Sequence, residues 1–160
     1  MLGAHRGTLL VIAVVIATAV VAAAGIAMVV GRGDAAPRPG WIRAGSSQEI
    51  ESRHVTFVRE IPAYVVTSPE GPIALYARST HLGEPVRYCA SSGWFEDDRH
   101  GTMFDEMGRY ELGPAPRGLD RLALHVIAGD VWIDPTNISI GPPRGVHSPH
   151  PSGPFCYGSG

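Results

Sequence analysis

A run of Lys or Arg, a Gly-rich phosphate loop and a cysteine in a recognisable nucleophile motif are all missing from this chain, and each absence removes a class of function. Charged residues make up 18% of the 160 positions and the formal net charge is −2, so nothing here neutralises a row of phosphates. Nucleic acid is not an expected partner. No Ser-His-Asp arrangement follows from spacing, which leaves catalysis without support. Only two cysteines are present, Cys89 and Cys156. In an oxidising compartment they can pair with each other or with a neighbour, and the plain reading of Cys89 is a core or surface thiol. Helical periodicity beyond the N-terminal segment is not evident either. The 20 Gly and 14 Pro instead suit a turn-rich β protein with flexible ends.

Apolar residues supply 44% of the chain, enough for one anchor and one compact domain. After an N-terminal tail over residues 1–8, the run from Leu9 to Val30 is interrupted only by Thr18 and Gly25. As a helix it is about 33 Å long, sufficient to cross the hydrocarbon core. A cleaved secretory signal is the rival reading, since Arg6 precedes the run and Ala22 and Ala24 form an Ala-x-Ala site, but apolar residues continue beyond it. The expectation is an uncleaved single-pass transmembrane helix over 9–30 and therefore contact with membrane lipid. Arg6 on one side and Arg32, Arg38 and Arg43 on the other leave its orientation open. Residues 31–47, with Pro37, Pro39 and Gly40, read as a linker.

Short β-rich runs follow at 54–58, 63–67, 73–77, 85–89, 94–96, 102–104, 122–127 and 131–133. Pro69-Glu70-Gly71-Pro72 and Ser91-Ser92-Gly93 are turn signals between them, and Ala128-Gly129-Asp130 predicts a tight hairpin joining Val126 to Val131. The implied fold is all-β, a small sandwich or barrel over 48–140. Trp94, Phe104 and Trp132 are expected as core anchors. Glu96, Asp97 and Asp98 read as a solvated acidic loop in preference to a cation site. The tail, residues 141–160, is rich in Gly, Pro and Ser and is expected to be disordered, with His147 and His150 as exposed bystanders.

Two segments carry a more specific signal: Ser79-Thr80-His81-Leu82-Gly83-Glu84, and Asp97-Asp98-Arg99-His100-Gly101-Thr102. Together they resemble the two halves of the Rieske iron–sulfur signature, Cys-Thr-His-Leu-Gly-Cys and Cys-Pro-Cys-His-Gly-Ser. Pro85-Val86-Arg87-Tyr88 and Ser91-Ser92-Gly93 between them resemble the family's connecting strand and turn. Gly113-Pro114-Ala115-Pro116-Arg117 resembles its proline loop, and Leu122 to Asp134 its closing strands. The likeness covers roughly residues 49–140.

In that family each half supplies one cysteine and one histidine to a two-iron cluster. The resemblance places the histidines at His81 and His100 and the cluster cysteines at Ser79 and Asp97, so a 2Fe–2S cluster is not expected. A protonated hydroxyl and a hard carboxylate are poor substitutes for soft thiolate. The family's bridging cysteines correspond to Glu84 and Arg99, and an ion pair between these two is expected to keep the loops together. His81, His100 and Asp97 could hold one mononuclear metal, iron or zinc. The family layout implies a docking or accessory subunit of a respiratory or quinol-oxidising membrane complex, with the domain on the outer face of the cell membrane. A Rieske-type electron carrier is the alternative. A visible spectrum separates them.

Overall fold

The computed structural model describes residues 36–145 and 150–157, within a compact unit that begins at Ala36. The expected transmembrane helix over Leu9–Val30, the tail before it and His147 lie outside the described residues. Among the described residues no helix is long and apolar enough to cross a membrane.

Ten strands and one short helix make up the domain, which is all-β as expected. In chain order they are β1 (Ile42–Ser46), α1 (Ser47–Arg53), β2 (Val55–Val58), β3 (Ala63–Ser68), β4 (Gly71–Tyr76) and β5 (Arg87–Cys89). There follow β6 (Trp94–Glu96), β7 (Met103–Phe104), β8 (Tyr110–Leu112), β9 (Arg121–Ile127) and β10 (Asp130–Ser139). They form a six-stranded sheet of order β1-β10-β9-β4-β3-β2 and a four-stranded sheet of order β5-β6-β7-β8. All strand pairs are antiparallel.

The two sheets meet on the hairpin β3–β4. Side chains alternate across a strand, so neighbouring residues face opposite sides. Val65 and Ala74 join one apolar cluster with Ile50 of α1, Leu122, Val131 and Ile133. Val66 and Leu75, one residue along, join a second cluster with Val86, Phe95, Phe104, Ala115 and Leu119. This hairpin is thus buried on both faces. Trp94 and Phe104 are buried, whereas Trp132 is only half-buried and anchors no core.

Three expectations are corrected. The linker does not run to residue 47, because Ile42–Ser46 is a strand paired with β10. Its Ala-Gly composition hides it, and a register shift between Arg43 and Gly45 breaks any period-2 pattern. A helix exists after all: Ser46 caps it by accepting from the Glu49 amide, while the Glu49 carboxylate accepts from the Ser46 amide. That Ser-x-x-Glu capping box was readable, but the helix is too short to show periodicity. The third correction concerns the tail. Gly141 donates to Asp120, Arg117 bridges Pro143, and Arg144 donates to the carbonyls of Ala115 and Gly113. Residues 150–157 are fastened to the four-stranded sheet by a disulfide between Cys156 and Cys89. Crosslinking and hydrogen bonds to buried groups order a segment that its own apolar content would not.

The strand β10 also continues past Pro135, where a register shift between Asp134 and Ile138 accommodates the ring. At its other end the expected hairpin forms in the expected register, with Val126 opposite Val131. Ala128 and Gly129 turn the chain at φ values of 50° and 82°, both left-handed, as a type I′ turn requires. Alanine is strained there. Ala128→Asn is expected to raise the unfolding free energy by about 0.5–1 kcal/mol in urea titrations. A loss of stability would contradict the left-handed turn.

Candidate functional site

The two motif segments form matching loops at one end of the domain. The first lies between β4 and β5, the second between β6 and β7. Ser79 N donates to Glu84 O at 2.7 Å and Gly83 N to Ser79 O at 2.9 Å. In the second loop Asp97 N donates to Thr102 O and Gly101 N to Asp97 O, each at 2.9 Å. The pattern is the same, so Ser79 and Asp97 occupy equivalent places, as do Gly83 and Gly101. Both of these glycines have positive φ, 76° and 68°, which closes each turn without a Cβ clash.

The side-chain oxygens at the equivalent places do equivalent work. Ser79 Oγ accepts from the His81 amide at 3.4 Å. Asp97 Oδ1 accepts from the amides of Arg99 and His100 at 3.0 and 3.1 Å. Both side chains are buried, Asp97 with 0% of its surface exposed. The other carboxylate oxygen, Oδ2, has no hydrogen-bond partner among the described residues and lies 3.8 Å from His100 Nδ1. His81 and His100 bring the loops together at their tips, with ring centroids 5.1 Å apart and the rings edge to face. His81 is half-buried and His100 exposed. Leu82, next to His81 in the first loop, is 66% exposed.

Three further contacts brace the loops. Arg99 Nε and Glu84 Oε2 form the expected ion pair at 3.6 Å, but the arginine is mostly exposed, so the pair contributes about 0–1 kcal/mol. Thr80 Oγ1 donates to the Arg117 carbonyl at 2.7 Å, tying the first loop to the proline segment. The same segment abuts the second loop, since a Cβ on Gly113 would stand 2.6 Å from Thr102 Cα. Arg87 on β5 reaches Asp98 at 3.8 Å. A hydrogen bond to Tyr157, followed by the charge of Asp98, holds the Arg87 guanidinium above its ordinary pKa. Beneath the first loop, Tyr64 accepts from the Tyr88 amide, and burial pushes its phenol upward.

The acidic run is not a solvated loop. Only Asp98 is exposed; Glu96 and Asp97 are buried because each finds its own donors. Glu96 accepts from Ser92 Oγ at 2.8 Å, from the Tyr157 amide at 2.8 Å and from the Cys156 amide. Sequence reasoning missed this second constellation because its members are remote in the chain. The available signal was that the chain has two cysteines and no others. Among the described residues, the group of three whose ligand atoms all lie within 4.8 Å of one another is Cys89, Glu96 and Cys156, not His81, Asp97 and His100.

No protein-family model matches the chain. Among solved structures, the cyanobacterial plasma membrane Rieske protein PetC3 from Synechocystis is similar at 23% identity, over 58% of this chain and 98% of that one, with a TM-score of 0.49. Among curated proteins, a cytochrome b6-f complex iron-sulfur subunit of Prochlorococcus marinus is 31% identical over 90 residues, covering 54% of this chain and 49% of that protein. Subunit 2 from Nostoc is 30% identical over 77 residues, covering 46% and 43%, and the chloroplastic subunit 1 of Nicotiana tabacum 32% over 80 residues, covering 46% and 35%. Over about half of its length the chain is thus similar to Rieske iron-sulfur subunits. It spans less than half the length of each of these curated relatives.

A Rieske cluster takes two thiolates on one iron and two imidazoles on the other. This domain brings the imidazoles of His81 and His100 together, but both of its cysteines are consumed in one disulfide on β5 and the tail, outside the two loops. The residues present do not fit that cluster. What Ser79 and Asp97 offer there is oxygen, already engaged in holding loop amides. Asp97→Ala leaves the Arg99 and His100 amides without their acceptor and is expected to cost roughly 1–3 kcal/mol in chemical denaturation, with Asp97→Asn losing less because Oδ1 is kept. Equal losses would show that the acceptor role is not what holds the loop.

Proposed function

We propose that this Rieske-fold chain is a docking or accessory subunit of a membrane redox complex and carries no 2Fe–2S cluster. The observation that carries the reading is the disulfide between the chain's only cysteines, which leaves no thiolate for a cluster iron. On this reading Ser79 and Asp97 stand where the family has its cluster cysteines, and Glu84 and Arg99 where it has its bridging pair. Loop shape is then maintained by oxygen acceptors, the Glu84–Arg99 ion pair and the proline segment instead of by metal and covalent bridge. The segment Leu9–Val30 anchors the chain in the cell membrane and the domain works on the outer face, as an element of a quinol-oxidising or respiratory assembly. The curated relatives' names, iron-sulfur subunits of the cytochrome b6-f complex, support that class of partner. Leu82, exposed beside His81, belongs to the docking rim. On this reading the protein does not relay electrons itself.

Mild detergent extraction followed by absorbance and iron analysis tests the proposal. A colourless protein with iron well below one atom per chain is expected. A brown, reducible chromophore with roughly two irons per chain would return the domain to the electron carriers.

One observation favours a second reading at the same loops. Asp97 Oδ2 is a buried oxygen without a hydrogen-bond partner among the described residues, facing His100, and an orphaned buried acceptor is the kind of group a cation satisfies. A mononuclear zinc or iron held by His81, His100 and Asp97 would answer it, after a small closing movement of the side chains. Metal analysis should then find about one zinc or iron per chain, lost in a His81→Ala, His100→Ala double variant. Metal content unaffected by that double substitution would eliminate this reading.

A further inference from the structure

The second constellation lies away from the histidine loops. Cys89 ends β5, Glu96 ends β6, and Cys156 arrives from the tail. Their ligand atoms all lie within 4.8 Å of one another. We propose that reduction of the Cys89–Cys156 disulfide converts this crosslink into a binding site for a thiophilic divalent metal, zinc by class, with Cys89, Cys156 and Glu96 as ligands.

The residue types suit zinc, which takes cysteine thiolates and carboxylate oxygen in tetrahedral sites. Two thiolates on one zinc stand ~3.7 Å apart at the usual bond length. Side chains on Cα atoms 5.6 Å apart reach that separation by rotation alone. Glu96 is already aimed: it is fully buried, and its hydrogen-bond partners are the Ser92 hydroxyl and the amides of Cys156 and Tyr157. All of these are neutral donors, so a dication would supply the positive charge this buried carboxylate lacks. Ser91 Oγ stands 3.1 Å from Cys89 Sγ and 3.5 Å from Cys156 Sγ, which leaves a polar fourth corner for its oxygen or for water.

Access is one-sided. Cys89 is buried and Cys156 exposed, so an incoming dithiol attacks the Cys156 sulfur. That step forms a mixed disulfide and releases the Cys89 thiolate. The reductant's second thiol then closes on the first, releases Cys156 and leaves the reductant as a disulfide. Two electrons and two protons have passed to the protein. The metal displaces the two thiol protons as it binds. The tail is therefore fastened in two ways, by a covalent bond when oxidised and by a metal when reduced, and it is loose only when reduced and metal-free.

The full chain in detergent, reduced with dithiothreitol, freed of it anaerobically and titrated with Co²⁺, tests this. One Co²⁺ per chain is expected, with a sulfur-to-cobalt charge-transfer band that Zn²⁺ bleaches, and the oxidised chain should give no such band. Glu96→Gln should weaken binding roughly tenfold or more, since an outright ligand is lost. The sulfur-to-cobalt band reports thiolate ligation alone, which separates this site from the histidine loops and from the proposed docking role. Absence of the band in the reduced chain would overturn the proposal. So would equal affinity in reduced chain unfolded by urea, because two thiols alone would then explain the signal.

Discussion

The arrangement rests on a single constraint, the burial of the β3–β4 hairpin on both faces. A strand has only two faces, and here Val65 and Ala74 fill one core while Val66 and Leu75 fill the other. Removing that hairpin would separate the six-stranded sheet from the four-stranded one. It also explains why the loops hold their positions. The first begins where β4 leaves this double core, and the second hangs from β6 and β7, whose Phe95 and Phe104 pack against Leu75 and Val66. Both loops therefore project from one rigid base, and their meeting at His81 and His100 is a consequence of packing.

Within that frame, the equivalent places in the two loops serve a role separable from metal binding. Ser79 and Asp97 accept hydrogen bonds from amides two or three residues further on, which is what keeps each turn closed. Oxygen performs this as well as sulfur would. It does not hold a cluster iron as thiolate does. The ion pair of Glu84 and Arg99 contributes little to the shape of the loops. The proline segment matters more, because Thr80, Gly113 and Arg117 connect it to both loops.

Covalent closure lies outside the two loops. The disulfide joins positions 67 apart in sequence and brings the last described residues onto β5 and β6. Their arrival is what buries Glu96, since two of its donors are the amides of Cys156 and Tyr157. A carboxylate at the end of β6, read as solvated from its acidic neighbours, becomes an interior group through residues sixty positions away.

By itself the sequence determined the local features: the β class, the β9–β10 hairpin with Val126 opposite Val131, and the two loops with their histidines. Each of these depends on contiguous residues, whether period-2 alternation, turn chemistry at Ala128-Gly129, or motif spacing. Tertiary structure alone decided the rest. Strand β1 is held by its partner β10 and not by its own propensity, α1 by the burial of Ile50 in the core, and the tail by a crosslink and a buried acid. The pairing of Cys89 with Cys156, the burial of Glu96 by the tail, and the meeting of His81 with His100 require the folded chain for the same reason. Burial and long-range pairing are properties of where segments come to lie, and no window of sequence contains both partners.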